Sequence, residues 1–349
     1  MKLNERIELL EKTGTYFGDI IHAYQNQNNT SDFQKELEII RSHHKYNGWF
    51  TQDNIIHALQ AWKQQLSKDN LLRWTANVND AKTNKSVGIV MAGNIPLVGF
   101  HDFLSVYISG HKSKIKLSSQ DDKLLPAIIT HLEKINPDIA YSVEFVDKIK
   151  EVDAVIATGS NNTSRYFHQY FGDMPNIIRK NRTSVAILDG HETSEELSGL
   201  AMDLLMYFGM GCRNVSKLYL PNGFDLDKIF SAVYHNFAEI IKHNKYANNY
   251  DYYKAIYLLN KVSFLENGMM ILKEDKAIHS PVSVVHYEYY DKLEHVEKEL
   301  RLQQDQLQCV VSKTGALKNE VKPGASQFPE LWNYADNVNT LEFLGKLTN

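Results

Sequence analysis

The feature that most constrains the fold is a nearly continuous apolar run, Ser86 to Ala92, in the first third of the chain. A run of this length without polar alternation is typical of a strand that is buried on both faces. Shorter apolar runs then alternate with segments of helical periodicity, which predict strands at 114–117, 142–146 and 152–157 and helices at 97–109 and 122–135. Ser118 or Ser119 is the expected cap of the second helix. This alternation predicts a parallel, doubly wound sheet.

A second α/β segment begins near Thr183. Apolar runs predict strands at 184–188 and 217–220, and the sequence between them predicts a helix over 193–208. Residues ahead of the first segment carry apolar side chains at helical intervals, so the N-terminal region is predicted to be helical. The chain is therefore expected to contain two α/β units preceded by a helical region.

Polar or glycine residues follow three of the predicted strands of the first segment. They are Gly93-Asn94, Lys116 to Ser119 and Thr158 to Asn161. Because ligands of open parallel sheets bind at the carboxyl ends of the strands, these residues are candidates for a binding site.

Cys212 lies in the stretch Met206 to Pro221, between an apolar helix-like run and a strand-like run. Gly209 and Gly211 would let a substrate approach the backbone closely, and the neighbouring Arg213 would favour a thiolate. A cysteine so placed is a candidate nucleophile. The alternative interpretation is a small buried cysteine that fills space in a core.

Composition and missing motifs exclude several classes of protein. A formal net charge of −4 argues against a nucleic-acid partner bound through bulk basicity. The sequence lacks GxGxxG, GxxxxGK[ST], CxxC and HxxxH, which argues against a standard dinucleotide fingerprint, P-loop chemistry and a metal site. Cys212 and Cys309 could form one disulfide, but a secreted disulfide scaffold would have more cysteines.

The N-terminus is a charged amphipathic segment with no apolar signal core, and no run approaches the roughly 18 to 20 apolar residues of a membrane span. The expected location is therefore the cytoplasm.

Six short motifs occur in a recognisable order: MAGNIPLVG (91–99), IKLSSQDDKLLP (115–126), IATGSNNTSRYF (156–167), SVAILDG (184–190), FGMGC (208–212) and HSPVSVVHYEYYD (279–291). In this order they resemble the aldehyde dehydrogenase superfamily and, within it, the fatty acyl-CoA reductases of the LuxC type. The resemblance runs from about Lys85 to the C-terminus, and the tail also looks like that subgroup. It implies an aldehyde dehydrogenase-like α/β fold with a Rossmann-like cofactor domain, a catalytic domain and a helical N-terminal region.

The same resemblance suggests four segments along the chain. Residues 1–84 would form the helical N-terminal region on the cofactor-domain side, and residues 85–182 the cofactor-binding domain. Residues 183–318 would form the catalytic domain with the nucleophilic cysteine. Residues 319–349 would pack back on the body of the protein.

Two catalytic residues follow from the resemblance. Cys212 matches the nucleophile, and Asn94 matches the asparagine whose amide helps hold the oxygen of the thioester. The alternative for Asn94 is a turn residue before Pro96.

The resemblance also implies a nicotinamide cofactor. Lys116 matches the lysine that binds the adenosine ribose, and Ser118 lies two residues beyond it. The superfamily usually has Pro-Ser-Glu after this lysine, whereas here the sequence is Leu117-Ser118-Ser119. An acid there discriminates against a 2′-phosphate, so its absence favours NADPH over NADH. The backbone would approach the pyrophosphate at Thr158, Gly159 and Ser160.

Two departures from the superfamily pattern bear on the reaction. The glutamate base of hydrolytic aldehyde dehydrogenases aligns with Pro175 to Ile178, where no acid occurs. The glutamate that holds the nicotinamide ribose aligns near Ala277 and Ile278, and Glu274 or Asp275 could substitute for it. Loss of the first glutamate fits a reductase, because the acyl-enzyme then waits for hydride.

The implied reaction is reduction of a fatty acyl thioester to the aldehyde through an acyl-cysteine. The acyl donor would be acyl-CoA or an acyl carrier, with an acyl-protein synthetase or transferase as a further partner and a homo-oligomer as an option. A second hypothesis is an acyl-carrying protein or acyltransferase that uses Cys212 without hydride transfer.

Overall fold

The computed structural model describes residues 1–26, 33–79, 84–315, 317 and 319–347. The chain divides into two compact units, of which unit 1 is Met1–Lys180 with Glu330–Asn349 and unit 2 is Asn181–Pro329. The residues after 330 therefore belong to the same unit as the N-terminal half.

The helices and strands are numbered in chain order. The helices are α1 (Leu3–Gln25), α2 (Gln34–Ser42), α3 (Gln52–Gln65), α4 (Lys68–Trp74), α5 (Phe100–Ile108), α6 (Leu124–Ile135), α7 (Asn161–Phe171), α8 (Ser194–Leu205), α9 (Asp227–Phe237), α10 (Asn244–Leu259), α11 (Leu293–Leu302) and α12 (Thr340–Lys346). The strands are β1 (Ser86–Val90), β2 (Lys112–Lys116), β3 (Val143–Phe145), β4 (Ala154–Thr158), β5 (Asn176–Arg179), β6 (Thr183–Ile187), β7 (Val215–Pro221), β8 (Leu265–Glu266), β9 (Ile271–Glu274), β10 (Val284–Tyr290), β11 (Leu307–Val311) and β12 (Glu320–Val321).

Unit 1 is built on a five-stranded sheet in the order β3-β2-β1-β4-β5, and every pair in it is parallel. The apolar strand β1 is central, with Val87 and Ile89 fully buried, as expected for a strand covered on both faces. The strand order reverses beside β1, because β2 and β3 lie on one side of it and β4 and β5 on the other. Such a reversal opens a crevice at the carboxyl ends of the central strands.

The helical N-terminal segment joins the core of unit 1 through one face of α1. That face carries Ile7, Leu10, Phe17 and Ile20, which recur three or seven residues apart and lie in the main hydrophobic cluster. Leu344, from α12, lies in the same cluster.

Unit 2 is built on a seven-stranded sheet in the order β12-β11-β6-β7-β10-β9-β8. All of its pairs are parallel except that of β8 with β9. The central strands β6 and β7 are buried along nearly their whole length, as expected for strands covered on both faces. The expected class, two α/β units with a helical N-terminal region, is confirmed.

Two local expectations were wrong. Helix α6 begins at Leu124 with Lys123 at the N-cap, whereas Ser118 accepts a hydrogen bond from Gln120 N in a separate turn. Helix α8 has its N-cap at Thr193, where the helix was predicted to begin, but it ends at Leu205, before the predicted end at 208. It stops there because Met206 leaves the helical conformation, with φ of −55° and ψ of 141°, and Tyr207 and Phe208 are left-handed.

Among the residues that the structure describes, no helix is long and apolar enough to cross a membrane.

Candidate active site

The turn that follows α8 has an unusual backbone. Tyr207, Phe208 and Gly209 have φ values of 52°, 61° and 76°, three left-handed residues in succession. Non-glycine residues in this conformation cost on the order of 1–3 kcal/mol each, so the surroundings must hold them. The ring of Phe208 stacks on His243 with 4.1 Å between centroids, which provides part of that support.

Cys212 comes at the end of this turn and is partly exposed. Gly211, with φ of 97°, precedes it, and Asn214 N donates to Gly211 O at 3.2 Å to close the turn. The carbonyl oxygen of Cys212 accepts a hydrogen bond from Ser184 Oγ at 3.0 Å. These contacts fix the main chain on both sides of the thiol.

Cys309 differs from Cys212 because its thiol is buried. It lies in β11, is 2% exposed, and its burial raises the pKa of its thiol. Cys212 and Cys309 do not form a disulfide with each other. Cys309 is thus a core residue, as its apolar neighbours predict, and Cys212 is the thiol that solvent can reach.

The residue after Cys212 joins a second part of unit 2. Arg213 Nη1 lies 3.5 Å from Ser326 O, and the backbone of that loop is held by Asp203 of α8. Asp203 is fully buried and accepts from Gly324 N at 2.6 Å and from Ser326 N at 2.9 Å. Burial raises the pKa of its carboxyl group to about 6.

Sequence reasoning missed Asp203. The signal was present, because Asp203 is the one carboxylate within the apolar run from Leu200 to Phe208. A charge inside an apolar helical run is either exposed on one face or buried with partners, and here it is buried with backbone partners.

Asn94 lies in unit 1, in the loop after β1, and it is exposed. The preceding Gly93 packs so closely on the next loop that a Cβ atom there would lie 2.5 Å from Ser118 Oγ. On the other side of Asn94, Leu97 has a φ of 56° and donates its N–H to Asp121 Oδ2 at 2.9 Å. The loop is therefore held at both ends while its amide side chain faces solvent.

The other candidates of unit 1 lie at the same edge of the sheet. Lys116 is the last residue of β2 and is exposed, and Ser118 follows in the next turn. Thr158 is the last residue of β4, and Ser160 caps α7 by accepting from Thr163 N at 3.2 Å.

Gly159 lies between these last two residues, and the packing around it requires a residue without a side chain. A Cβ atom there would lie 2.9 Å from the ring of Phe167. Because the strands are parallel and adjacent, the six candidates of unit 1 share the carboxyl edge of one sheet: Asn94, Lys116, Ser118, Thr158, Gly159 and Ser160.

The segment that lacks the expected base forms a short edge strand, β5. Its Ile177 is buried, and Arg179 pairs with the buried Asp102 at 2.5 Å. Glu192, an alternative base in unit 2, binds neighbouring backbone groups. Its carboxylate accepts hydrogen bonds from Asp189 N at 2.6 Å and from Gly190 N at 3.2 Å.

The position of the second missing glutamate is apolar as well. Ile278 is buried, and Ala277 N donates to Asp275 Oδ1 at 2.9 Å. The other carboxylate oxygen of Asp275 pairs with Lys273, and these contacts hold its pKa at about 2. Asp275 is thus already engaged, whereas Glu274 is exposed.

A family model described as acyl-CoA reductase (LuxC) matches residues 2–249, more than two thirds of the chain. The chain belongs to this acyl-CoA reductase family. The matched range contains Cys212 and all six candidates at the sheet edge of unit 1. A comparison with curated proteins gave no match.

Solved aldehyde dehydrogenases share the fold of this chain. Aldehyde dehydrogenase 21 from Physcomitrella patens, solved with its product succinate, aligns over 100% of this chain and 85% of its own, with a TM-score of 0.66 and 13% identity. A Bacillus cereus aldehyde dehydrogenase with NAD+ aligns over 90% of this chain and 72% of its own (TM-score 0.60, 14% identity). A Mycobacterium tuberculosis aldehyde dehydrogenase with NAD+ gives 90% and 74% (TM-score 0.60, 12% identity).

At such low identities the similarity of these structures shows the fold alone. The resemblance of the motifs to the aldehyde dehydrogenase superfamily and its LuxC-type reductases is confirmed by the family match and by the fold. Family and fold together support an aldehyde-forming acyl-CoA reductase.

Proposed function

We propose that this protein converts a fatty acyl thioester to the aldehyde with NADPH, through a covalent acyl thioester on Cys212. The observation that carries the proposal is the contrast between the two thiols. Cys212 is accessible and held by a turn of left-handed residues, whereas Cys309 is buried in β11. Strained backbone concentrates at functional sites, which supports Cys212 as the reacting group.

The first step is thiol exchange at the acyl carbon. The Cys212 thiolate attacks the carbonyl carbon of the donor thioester, and its sulfur forms the new C–S bond. The old C–S bond breaks, and its electron pair leaves with the sulfur of CoA or of a carrier thiol. The leaving thiolate is a good leaving group and needs little acid assistance.

We propose Asn94 as a donor to the oxygen that becomes negative during this step. Its exposed amide is carried by a loop whose two ends are fixed at Gly93 and Leu97. A preorganised donor of this kind contributes about 3 kcal/mol to transition-state stabilisation. The Cys212 backbone N–H is proposed as the second donor.

A nicotinamide dinucleotide fits the donor set of unit 1. Lys116 and Ser118 offer an ammonium and a hydroxyl, the N-terminus of the 11-residue helix α7 offers backbone N–H groups, and Gly159 keeps that turn compact. When bound, NADPH would supply the hydride that reduces the acyl group. Because no carboxylate occurs at 117–119, a 2′-phosphate meets Lys116 without an opposing acid, and we propose NADPH over NADH.

The test measures NADPH consumption and aldehyde release with acyl-CoAs of increasing chain length. Mass spectrometry after exposure to acyl-CoA alone should find the acyl group on the Cys212 peptide. Cys212→Ala should lose both signals and keep its fold, and Cys309→Ala should keep both. An acyl group on Cys309, or aldehyde formed by Cys212→Ala, would contradict the proposal.

One observation favours a second candidate function, that of an acyltransferase or acyl carrier. The superfamily's ribose glutamate is replaced near Ala277 and Ile278, and Asp275 already pairs with Lys273. A protein of that kind would acylate Cys212 and pass the acyl group to a second thiol without binding NADPH. Fluorescence titration with NADPH separates the two candidates, because a reductase must bind it.

A further inference from the structure

Asp121 links the two loops that follow β1 and β2. Its Oδ2 accepts from Leu97 N at 2.9 Å, in the loop that carries Asn94. Its own N–H donates to Ser118 O at 3.0 Å, in the loop that follows Lys116. One residue therefore contacts both loops through short, direct hydrogen bonds.

The same two loops are linked a second time from the N-terminal region. Asn47 Nδ2 donates to Gly93 O at 3.2 Å and lies 3.4 Å from Gln120 O. His43 Nε2 also contacts Gln120 O at 3.2 Å. Asn47 and His43 are buried, and the contact of Asn47 with Gly93 O is shielded from competing water.

The loops also touch directly, because Gly93 has no side chain. Any larger residue would collide with Ser118, since a Cβ atom on Gly93 would be 2.5 Å from Ser118 Oγ and 3.2 Å from Asp121 N. The loops are thus in contact where each carries a proposed functional residue. This contact blocks any movement of one loop toward the other.

The surroundings of Asp121 are unfavourable for a carboxylate, so this residue is expected to lower the stability of unit 1. It is 8% exposed, burial raises its pKa to about 7, and within the described residues its Oδ1 has no hydrogen-bond partner. Its other oxygen holds Leu97, whose φ of 56° is unfavourable for a leucine. A buried carboxylate with one unsatisfied oxygen costs stability, so its benefit is expected in the position of the loop.

We propose that Asp121 is a positioning residue that sets the Asn94 loop and the Ser118 loop as one unit. It would thereby couple the oxyanion donor to the ribose-binding end of the cofactor. The inference rests on the proposed roles of Asn94 and Ser118. It predicts that one change at Asp121 alters acyl transfer and cofactor affinity together, although Asp121 is assigned to neither.

The first measurement needs no activity. Hydrogen exchange followed by mass spectrometry should show faster exchange in Asp121→Ala at residues 93–98 and 118–122 together, with the rest of unit 1 unchanged. Asp121→Asn keeps an acceptor for Leu97 N and should restore most of the protection. The matched control is Asp122→Ala, which removes the neighbouring, partly exposed carboxylate that pairs with Lys123.

The second measurement uses active enzyme counted by Cys212 acylation. Asp121→Ala should lower the acylation rate about tenfold or more, the scale of a small misplacement of a catalytic group, and should also raise the KM for NADPH. Asp121→Asn should recover most of both, and Asp122→Ala should match the wild type. The acylation loss should not add to that of Asn94→Ala in the double variant, because both act through one donor.

Three outcomes decide the proposal. If Asp121→Ala leaves both loops protected and both kinetic constants unchanged, the proposal is wrong. If exchange rises evenly across unit 1 and only the melting temperature falls, Asp121 is merely structural and the proposal is also wrong. If the wild type proves unable to reduce acyl-CoA, the proposed function fails, and the exchange experiment alone then decides whether Asp121 couples the loops.

Discussion

Ser184 donates its hydroxyl hydrogen to the carbonyl oxygen of Cys212 at 3.0 Å. The same hydroxyl accepts from Cys309 N at 3.3 Å and lies 3.1 Å from Cys309 Sγ. A fully buried serine of β6 thus ties the peptide of the accessible cysteine to the adjacent strand β11. The position of Cys212 depends on this serine as well as on the glycines around it.

Ser184→Ala should therefore destabilise unit 2 and slow the reaction of Cys212. Loss of the hydroxyl leaves the buried Cys309 N and the partly buried Cys212 O without this partner, at a cost of about 1–3 kcal/mol. Urea denaturation should show the lower stability of the variant. The rate of thiol alkylation at Cys212 should be lower than in the wild type. The suitable control is Ser113→Ala, whose buried hydroxyl has no partner within the described residues and should be nearly neutral. Equal losses in the two variants would mean that the hydrogen bond contributes nothing.

Asn94→Ala should lower turnover by roughly two orders of magnitude, the effect of removing one oxyanion donor. The affinity for NADPH should hardly change, because the loop is held by Gly93 and Leu97 and not by the amide. Single-turnover acylation of Cys212 and a separate NADPH titration measure the two quantities. A variant that loses NADPH binding but acylates normally would make Asn94 a turn residue.

Much of the fold could be predicted because the local pattern of apolar residues indicates which segments are buried. The run around Val87 and Ile89 predicts a central strand, and the structure places it at the centre of the sheet. The edge strand Asn176–Arg179 could not be predicted in this way, because it has four residues and alternates in burial. The early end of α8 was also hidden, since the positive φ of Tyr207 and Phe208 arises from tertiary packing and not from helix propensity.

The candidate site also contains some residues that the sequence indicates and others that only the folded structure shows. The motif order pointed to Cys212 and Asn94, whereas Asp121 and Asp203 act on backbone groups far away in sequence. Asp203 accepts from Ser326, 123 residues later, and no local pattern indicates such a pair. Polar groups that support a site through long-range backbone contacts are visible only once the chain is folded.

Asp203 should give the stability of unit 2 a specific pH dependence. Burial raises its pKa from 3.8 to about 6, so the folded state keeps the proton to a higher pH than the unfolded state. Its contribution to stability is complete below pH 4 and is lost as the pH rises through about 6. Asp203→Asn lacks this titration, so its free energy of unfolding relative to the wild type should increase between pH 4 and pH 7, by up to about 3 kcal/mol.

Urea denaturation of both proteins at several pH values checks this slope. Asp203→Ala should show the same slope with a lower overall stability, because it also loses the acceptor for Gly324 N and Ser326 N. A difference between variant and wild type that stays constant from pH 4 to pH 7 would contradict the raised pKa.

The acyl group on Cys212 should be hydrolysed slowly when NADPH is missing. Rapid hydrolysis of a thioester needs a positioned base that activates water, and the segment aligned with the superfamily base contains Ile177 and Ile178. Acylating the protein with labelled acyl-CoA, removing free thioester and following the label with and without NADPH measures this directly. Label should persist without NADPH and leave as aldehyde when NADPH is added.

The nearest alternative bases in sequence are His191 and Glu192, which lie in the turn before α8. Glu192 accepts hydrogen bonds from the backbone N–H groups of Asp189 and Gly190, which hold its carboxylate in this turn. Glu192→Gln and His191→Ala should therefore leave the slow loss of label unchanged. Fast release of free acid without NADPH, suppressed by either variant, would reveal a working base and favour a thioesterase or a hydrolytic dehydrogenase over a reductase.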